Sequence, residues 1–335
     1  MDLSTTYMGM ELRNPLVASA SPMSQTVDGI RGLEQAGVGA VVLYSLFEEQ
    51  LQREAAAFAV LGSAGTESFA EALTYMPSLA DGAGTSRHYL SLLERARSAV
   101  EIPLIGSLNG ITPQGWTDHA RAIEEAGADA IELNMYDVPG DPRATGRDVE
   151  QRQLDVLHKV LDAVRLPVAV KMSPFYSSTG EMARRLDEAG ARGLVLFNRF
   201  MQPDIDADTL AISSRIELST PADQRLPQTW IAILRGRVGA SLAASGGVES
   251  PADVARFLLA GADVVMTASA LLRHGRGHAR TLVDGLQEWA GAKGFSSLDD
   301  LRGLLSLARE ADPEARQRAG YVGVLEAARQ TFAPW

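Results

Sequence analysis

The chain has 335 residues, of which 46% are hydrophobic and 22% are charged, so it can bury a large core. This length corresponds to about two average domains or to one α/β barrel. The net charge of −11 argues against nucleic acid or an anionic membrane as the main partner, because both require a basic protein surface. The absence of cysteine excludes disulfides, thiolate nucleophiles and protein-bound iron–sulfur clusters.

The first residues, 1–4, contain neither the basic nor the apolar region of a signal peptide. No apolar run reaches the ~18 residues that would cross a bilayer. We therefore expect a soluble, cytoplasmic protein without a membrane span.

The predicted elements begin with a hairpin over residues 5–14, which we expect to close the bottom of a barrel. Two patterns then alternate along the chain: Ala-Gly two residues before an apolar run, and Pro directly before one. Glycine in the Ala-Gly pairs suits the left-handed residue that ends a helix. Together with one further run, these patterns predict eight strands, near 16–21, 40–45, 104–109, 130–135, 168–173, 193–198, 241–246 and 264–269.

The strands are rich in Val, Ile, Leu and Ala on both faces, as strands buried on both sides should be. Eight β-then-α units predict a (β/α)₈ TIM barrel, and the alternative is an open doubly wound sheet. The predicted helices are 25–37, 87–100, 114–126, 148–164, 179–190, 228–236, 251–260 and 278–290.

Long insertions follow the second and sixth strands, over residues 46–86 and 199–226. Both therefore lie on the C-terminal face of the barrel, where barrel enzymes have their active sites. No low-complexity linker divides the chain. We expect a barrel over residues 1–291 and a C-terminal helical extension over 292–335, packed on that barrel.

Small residues at the ends of the seventh and eighth strands indicate a phosphate site. Ser245, Gly246 and Gly247 end one strand, Ala268 and Ser269 end the other, and a helix follows each. Glycine permits an anion to approach the backbone, and the N–H groups at a helix start bind it. Barrels commonly bind phosphate at these two positions. The alternative is that the Gly-Gly pair is only a tight turn.

Lys171 lies in the C-terminal half of the buried fifth strand. A lysine there costs desolvation energy unless an anionic group meets it. That group is either a ligand or the carboxylate of Glu132, which lies at comparable depth in the fourth strand. We favour a ligand, because perturbed charges concentrate at functional sites.

Asn109, Asn134 and Asn198 end the third, fourth and sixth strands. An amide side chain offers two donors and an acceptor, so three of them at one barrel mouth suit a flat heterocycle with imide edges. The alternative is that each Asn caps its own loop.

Two other chemistries lack support in the sequence. The five histidines, 88, 119, 158, 274 and 278, show no metal-ligand spacing, and surface or packing roles are expected for them. The sequence also lacks the G-x-S-x-G elbow of many serine hydrolases.

Five segments carry a resemblance to a known family: Asn14-Pro-Leu-Val-Ala-Ser19, Glu132-Leu-Asn134, Pro167-Val-Ala-Val-Lys171, Ser245-Gly-Gly-Val248 and Ala260-Gly-Ala-Asp-Val264. They resemble the dihydroorotate dehydrogenase family, closest to its soluble class 1 and to the bacterial subgroup of dihydroorotate dehydrogenase-like proteins. The resemblance implies a TIM barrel with FMN across its mouth. It also implies an FMN-dependent oxidoreductase acting on CH–CH groups, with hydride transfer between a C–C bond next to a carbonyl and flavin N5. Oxidation of dihydroorotate to orotate in pyrimidine biosynthesis is the corresponding family reaction.

The resemblance implies that Lys171 meets the N1/C2 carbonyl edge of the flavin and stabilises negative charge on its reduced form. It implies that Asn134 touches flavin or substrate and that Asn198 touches the substrate, and Tyr44 is a further substrate candidate at the mouth. The other predicted FMN contacts are Ala18, Ser19, Ser45, Asn109, Ser245, Gly246, Gly247, Ala268 and Ser269.

The sequence departs from the family pattern around the substrate. Tyr44 replaces a second family lysine, and the family's Asn-rich loop has no visible counterpart between residues 62 and 86. The family follows its fourth-strand Asn with Ser-Cys-Pro-Asn, whereas here Met-Tyr-Asp-Val-Pro follows Asn134, so the cysteine base is absent. Tyr136 and Asp137, on the same loop, and Tyr44 become the candidates for proton transfer.

Two other functions remain open from the residues alone. One is a phosphate-binding lyase or isomerase that uses Lys171 as a Schiff base. The other is a catalytically idle barrel within a redox complex. For the flavoenzyme we expect a small-molecule substrate and an external electron acceptor, because a chain without cysteine holds no iron–sulfur relay. A homodimer or a redox partner subunit is the expected assembly.

Overall fold

The computed structural model describes residues 1–48, 84–109, 113–136, 138–199, 203–213, 216–308 and 312–332. Eight parallel strands close a barrel in the order β3–β4–β6–β7–β8–β9–β12–β13, and β13 pairs back with β3. This confirms the predicted (β/α)₈ TIM barrel and excludes the open sheet. The described strands are β1 (Thr5–Tyr7), β2 (Met10–Leu12), β3 (Leu16–Ala18), β4 (Ala40–Val42), β5 (Leu46–Phe47), β6 (Leu104–Asn109), β7 (Ala130–Asn134), β8 (Val168–Lys171), β9 (Gly193–Leu196), β10 (Asp204–Asp206), β11 (Ala211–Ser213), β12 (Ser241–Ser245) and β13 (Val264–Thr267).

Helices follow the barrel strands and pack on their outer faces. Four of the helices end at Ala-Gly pairs, as predicted. Their glycines, Gly37, Gly127, Gly190 and Gly261, all have φ between +90° and +120°, the left-handed region that closes a helix. The described helices are α1 (Val27–Gln35), α2 (Gly84–Arg97), α3 (Pro113–Glu125), α4 (Gly146–Ala163), α5 (Thr179–Glu188), α6 (Arg225–Leu234), α7 (Pro251–Ala260), α8 (Ser269–His274), α9 (His278–Ala292), α10 (Leu298–Leu301) and α11 (Pro313–Phe332).

The barrel has two hydrophobic cores, because successive strand residues face opposite sides. The outer core lies between the strands and the helices. The inner core fills the lower part of the barrel, where Tyr7 and Met8 of the β1–β2 hairpin pack beneath the strands, as predicted for this hairpin. The strand residues of the inner core are mostly small or branched: Val17, Ala40, Val42, Ile105, Ala130, Ala169, Val195, Ala243, Val264 and Met266.

A buried ionic network fixes the chain downstream of α9 to the barrel. Asp263 accepts hydrogen bonds from Arg235 (2.8 Å) and Arg302 (3.3 Å), and its other oxygen accepts from the backbone N–H of Leu242 at 2.8 Å. Arg302 also donates to the Thr5 hydroxyl at 2.8 Å. One residue thus joins the N-terminal hairpin, the eighth strand and the C-terminal segment.

The predicted insertions and the C-terminal tail differ in how far their described residues are buried. Residues 49–83 of the first insertion lie outside the described residues. The second contains the exposed hairpin β10–β11 and a 3₁₀ helix, Pro221–Gln224. In the tail, Leu298 and Leu301 are buried, whereas α11 exposes Tyr321 and Val324. Among the described residues, no helix is both long and apolar enough to cross a membrane.

Candidate functional site

The carboxyl ends of the barrel strands form the mouth, and most of the predicted site residues meet there. Asn134 and Lys171 end neighbouring strands and are direct partners in the β7–β8 register. Asn109 ends β6 and is 8% exposed, as is Lys171. Parallel pairing therefore places a cation and two amides side by side along one arc of the mouth.

Lys171 forms an ion pair with Glu132, and the Nζ–Oε1 distance is 3.6 Å. Both side chains are buried, and neither carboxylate oxygen of Glu132 accepts a hydrogen bond from any residue that the structure describes. The carboxylate alternative raised by the sequence is thus present. It does not exclude a ligand, because Lys171 lies at the strand end and Glu132 lies two positions below the end of its own strand.

Asn134 and Asn198 contact each other across the mouth. The Asn198 Nδ2 group donates to Asn134 Oδ1, with the amide orientations assigned from the hydrogen-bond pattern. The backbone N–H of Asn198 donates to the Met172 carbonyl at 2.7 Å, which fixes the start of the loop after β9. The two amides form one polar unit rather than two separate loop caps.

The first two barrel strands bring hydroxyl groups to the mouth. Ser45 Oγ lies 2.8 Å from Ser107 Oγ. The Ser19 N–H donates to the Thr267 carbonyl at 3.0 Å. The Ala18 side chain belongs to the outer core, so only its backbone can face a ligand at the mouth.

Tyr44 packs edge-on against Tyr89, with 5.0 Å between ring centroids. The Tyr89 hydroxyl is fixed in turn, because it accepts from the Ser107 N–H at 2.9 Å. Partial burial raises the pKa of Tyr44. Tyr44 therefore keeps its proton at neutral pH and suits a hydrogen-bond or proton donor better than a base.

The glycine turn after β12 has the geometry of a close-approach site. Gly246 and Gly247 have φ values of +105° and +74°. A Cβ on Gly247 would lie 2.5 Å from the Thr220 carbonyl oxygen, whereas a Cβ on Gly246 would meet nothing nearer than 3.9 Å. The turn is thus packed on the Gly247 side and open on the Gly246 side. Ser245 precedes it at the end of β12.

Ser219 connects the two predicted phosphate-binding segments, and sequence reasoning did not single it out. Its hydroxyl donates to Ser269 Oγ at 2.9 Å and accepts from the Gly247 N–H at 3.2 Å. Ser269 begins α8 and Ala268 precedes it. The only sequence signal for Ser219 is its place in the insertion after the sixth strand, because an isolated serine has no periodicity.

Tyr136, Asp137 and two histidines complete the residues considered from the sequence. Tyr136 is 39% exposed, and its backbone N–H donates to the Asn134 carbonyl at 3.0 Å. Asp137 lies outside the described residues. His274 contacts the Glu249 carboxylate, and His278 Nε2 lies 2.8 Å from the Glu249 carbonyl oxygen. Within the described ranges, no group of three metal-ligating side chains occurs.

The groups at the mouth suit the ring and the phosphate of a flavin nucleotide. The open side of Gly246 and the start of α8 offer the backbone approach that a phosphate requires. Lys171 on β8 lies three strands away from β13 and supplies a buried cation. A flavin ring beside this cation would be stabilised when it gains negative charge on reduction. Asn134 and Asn198 supply amides beside that cation.

Fold and site together define a (β/α)₈-barrel enzyme that has its functional groups at the carboxyl ends of the strands. The sequence matches the dihydroorotate dehydrogenase family over residues 2–289, and the chain belongs to this family. The family consists of flavin-dependent oxidoreductases that act on CH–CH groups, and the chain is an oxidoreductase of this type.

Named relatives point to two related activities. The chain is 29% identical to the catalytic subunit of dihydroorotate dehydrogenase B (NAD⁺) from Methanothermobacter thermautotrophicus, over 90% of this chain and 98% of the relative. It is 26% identical to the NAD-dependent dihydropyrimidine dehydrogenase subunit PreA of Escherichia coli K12, over 90% and 76%. It is 28% identical to the chloroplastic dihydropyrimidine dehydrogenase (NADP⁺) of Arabidopsis thaliana, again over 90% and 76%.

Proposed function

We propose that the chain binds FMN and oxidises or reduces a substrate C–C bond next to a carbonyl. The observation that carries the proposal is the buried cation of Lys171 on the same mouth as the glycine turn of Gly246 and Gly247. We assign FMN binding to the barrel over residues 1–291, and we treat 292–335 as an extension packed on it.

The side chains divide the work between cofactor and substrate. FMN, when bound, would supply hydride transfer to or from a substrate carbon. Lys171 would stabilise negative charge on its ring, and the Gly246 turn with Ala268 and Ser269 would hold its phosphate. We assign the remaining FMN contacts to Ser19, Ser45, Asn109 and Ser245.

Asn134 and Asn198 bind the amide edges of the substrate, because together they present both donors and acceptors. A proton leaves or joins the neighbouring carbon through an oxygen side chain, for which Tyr44, Tyr136 and Asp137 are the candidates. Tyr44 is protonated at neutral pH and can donate a hydrogen bond to the substrate.

The substrate belongs to the dihydropyrimidine class, as the names of the relatives suggest. The test is anaerobic mixing of the purified flavoprotein with dihydroorotate and, separately, with a dihydropyrimidine that lacks the carboxylate. Loss of the visible flavin absorbance with either compound supports the proposal. A flavin that stays oxidised with both contradicts the substrate class but leaves FMN binding intact. Complementation of a strain that lacks dihydroorotate dehydrogenase separates the first substrate from the second.

We further propose that electrons leave through a separate redox subunit. The relatives named above include a catalytic subunit and the subunit PreA, and this chain has no cysteine for an iron–sulfur relay of its own. Co-purification from the native source with a subunit that carries flavin or iron–sulfur clusters is the expected result. A homodimer that turns over with free NAD⁺ at the full rate would contradict it.

A further inference from the structure

Glu132 lies inside the barrel directly below the mouth. Ala130, Glu132 and Asn134 occupy every second position of β7, so all three side chains face the inside of the barrel. It is 1% exposed, and its strand partners are Ser107 on β6 and Ala169 on β8. Its carboxylate therefore lies one inward position deeper than Asn134.

The surroundings of Glu132 leave its charge dependent on Lys171. The inner core next to it is apolar, with Ala130, Ala169 and Val195 as members. Within the described residues, neither carboxylate oxygen accepts a hydrogen bond, and Lys171 at 3.6 Å is its ion-pair partner. A buried carboxylate without donors stays ionised only if a cation compensates it. Glu132 and Lys171 thus depend on each other for charge compensation inside the barrel.

The Tyr7 hydroxyl, on the hairpin below, is a second buried polar group near Glu132. It is fully buried and makes no hydrogen bond to any described residue. Burial raises the pKa of Tyr7, and the charge of Glu132 raises it further. Tyr7 is therefore a neutral group that does not compensate Glu132, which leaves Lys171 in that role.

We propose that Glu132 is a positioning residue that acts through Lys171 and sets the reduction potential of the flavin. It holds the ammonium group at the mouth and offsets part of its positive charge. This inference rests on the proposed FMN function. The carboxylate makes the pair nearly neutral, so the site stabilises reduced flavin less than a free lysine would.

The test is the midpoint potential of bound FMN in Glu132→Gln, measured with protein in excess so that weakly binding variants are also saturated. Loss of the carboxylate leaves the charge of Lys171 uncompensated, so the reduced form gains stability and the potential rises. We expect at least a tenfold shift towards the reduced form, which is about 30 mV for a two-electron couple. Glu132→Asp keeps the charge and should stay near the wild-type potential.

Glu150→Gln is the matched control. Glu150 is also a buried carboxylate, and Arg185 lies 3.2 Å from it, but it belongs to α4 outside the barrel. The potential of this variant should equal that of the wild type. An equal rise in Glu132→Gln and Glu150→Gln would contradict a local effect at the mouth.

A double-mutant cycle identifies the route through Lys171. In the Lys171→Met background the ammonium charge that Glu132 offsets is absent, so adding Glu132→Gln should raise the potential by clearly less than it does in the wild-type background. An equal shift in both backgrounds overturns the proposal, and so does a negative shift or no shift when Glu132→Gln is made in the wild-type background.

Glu132→Leu provides a second uncharged variant if the amide disturbs folding. Loss of FMN by both uncharged variants, while Lys171→Met retains it, would assign Glu132 to folding and overturn the proposal. A wild-type protein that binds no FMN would instead refute the proposed function itself.

Discussion

Replacement of Gly247 by alanine tests whether the turn after β12 is a close-packed phosphate cradle. The backbone φ of +74° costs an L-residue about 1–2 kcal/mol. The new Cβ would also lie 2.5 Å from the Thr220 carbonyl oxygen and 2.8 Å from Gln224 Cγ, so the backbone at residue 220 must move. Overpacking of this kind costs about 1–3 kcal/mol more.

Gly294→Ala separates the two contributions. Gly294 has a similar φ of +82°, but a Cβ there would meet nothing within 4 Å. We therefore expect a loss of about 1–2 kcal/mol for Gly294→Ala. Gly247→Ala should lose about 2–5 kcal/mol in all, because both terms apply. Urea unfolding without added FMN measures both values.

The movement at residue 220 also carries Ser219 away from Ser269 and the Gly247 N–H. FMN affinity should therefore fall in Gly247→Ala by at least about tenfold, equivalent to 1.4 kcal/mol, and stay unchanged in Gly294→Ala. Fluorescence titration with FMN measures this difference. Equal stability losses and equal FMN affinities in the two variants would refute the close-packed cradle.

Three further substitutions test separate parts of the structure. Arg302→Ala should lower the free energy of unfolding by about 2 kcal/mol, because it removes one charged hydrogen bond to buried Asp263 and one to the Thr5 hydroxyl, whereas exposed Arg143→Ala should leave the urea midpoint unchanged. Hydrogen bonds from Ser296 and Ser297 lower the pKa of Asp300 to about 2. Its carboxylate therefore stabilises the fold at pH values above the pKa that it has in the unfolded chain. Asp300→Asn should therefore be less stable than wild type at pH 7, and the gap should close as the pH falls from about 4 to 2; a gap independent of pH would contradict this. Ser219→Ala should weaken FMN binding about fivefold in a fluorescence titration, because about 1 kcal/mol of hydrogen bonding at the glycine turn is lost, and wild-type affinity would contradict the role of Ser219.

The barrel itself could be predicted because its signals are periodic and repeated. Each Ala-Gly pair predicted a helix end, and the structure gives these glycines left-handed backbones, for instance Gly37 at +102°. Apolar runs on both faces predicted strands buried on both sides. The third barrel strand has the predicted bounds, 104–109, whereas the other seven are shorter than predicted, as with Leu16–Ala18 against 16–21, because the last residues of those runs turn into the loops of the mouth.

The candidate site could be predicted in position but not in contacts. Strand ends placed Asn134, Lys171 and the glycine turn at the mouth. Sequence reasoning named the Glu132 alternative for Lys171, but only the β7–β8 pairing and the buried geometry show that the pair forms. The hydrogen bond between Asn134 and Asn198 joins the ends of two strands that are not adjacent in the barrel. Ser219 contacts Ser269 and the Gly247 N–H from a loop. Neither set of contacts leaves a pattern in the sequence.

The central claim is that the mouth of the barrel binds FMN, and the flavin content of the purified protein tests it most directly. The protein is denatured, and the released cofactor is identified and quantified against the chain concentration. We predict close to one FMN per chain, or uptake to that level by protein purified without it. A colourless protein that takes up no added FMN, although it is folded, would contradict the claim.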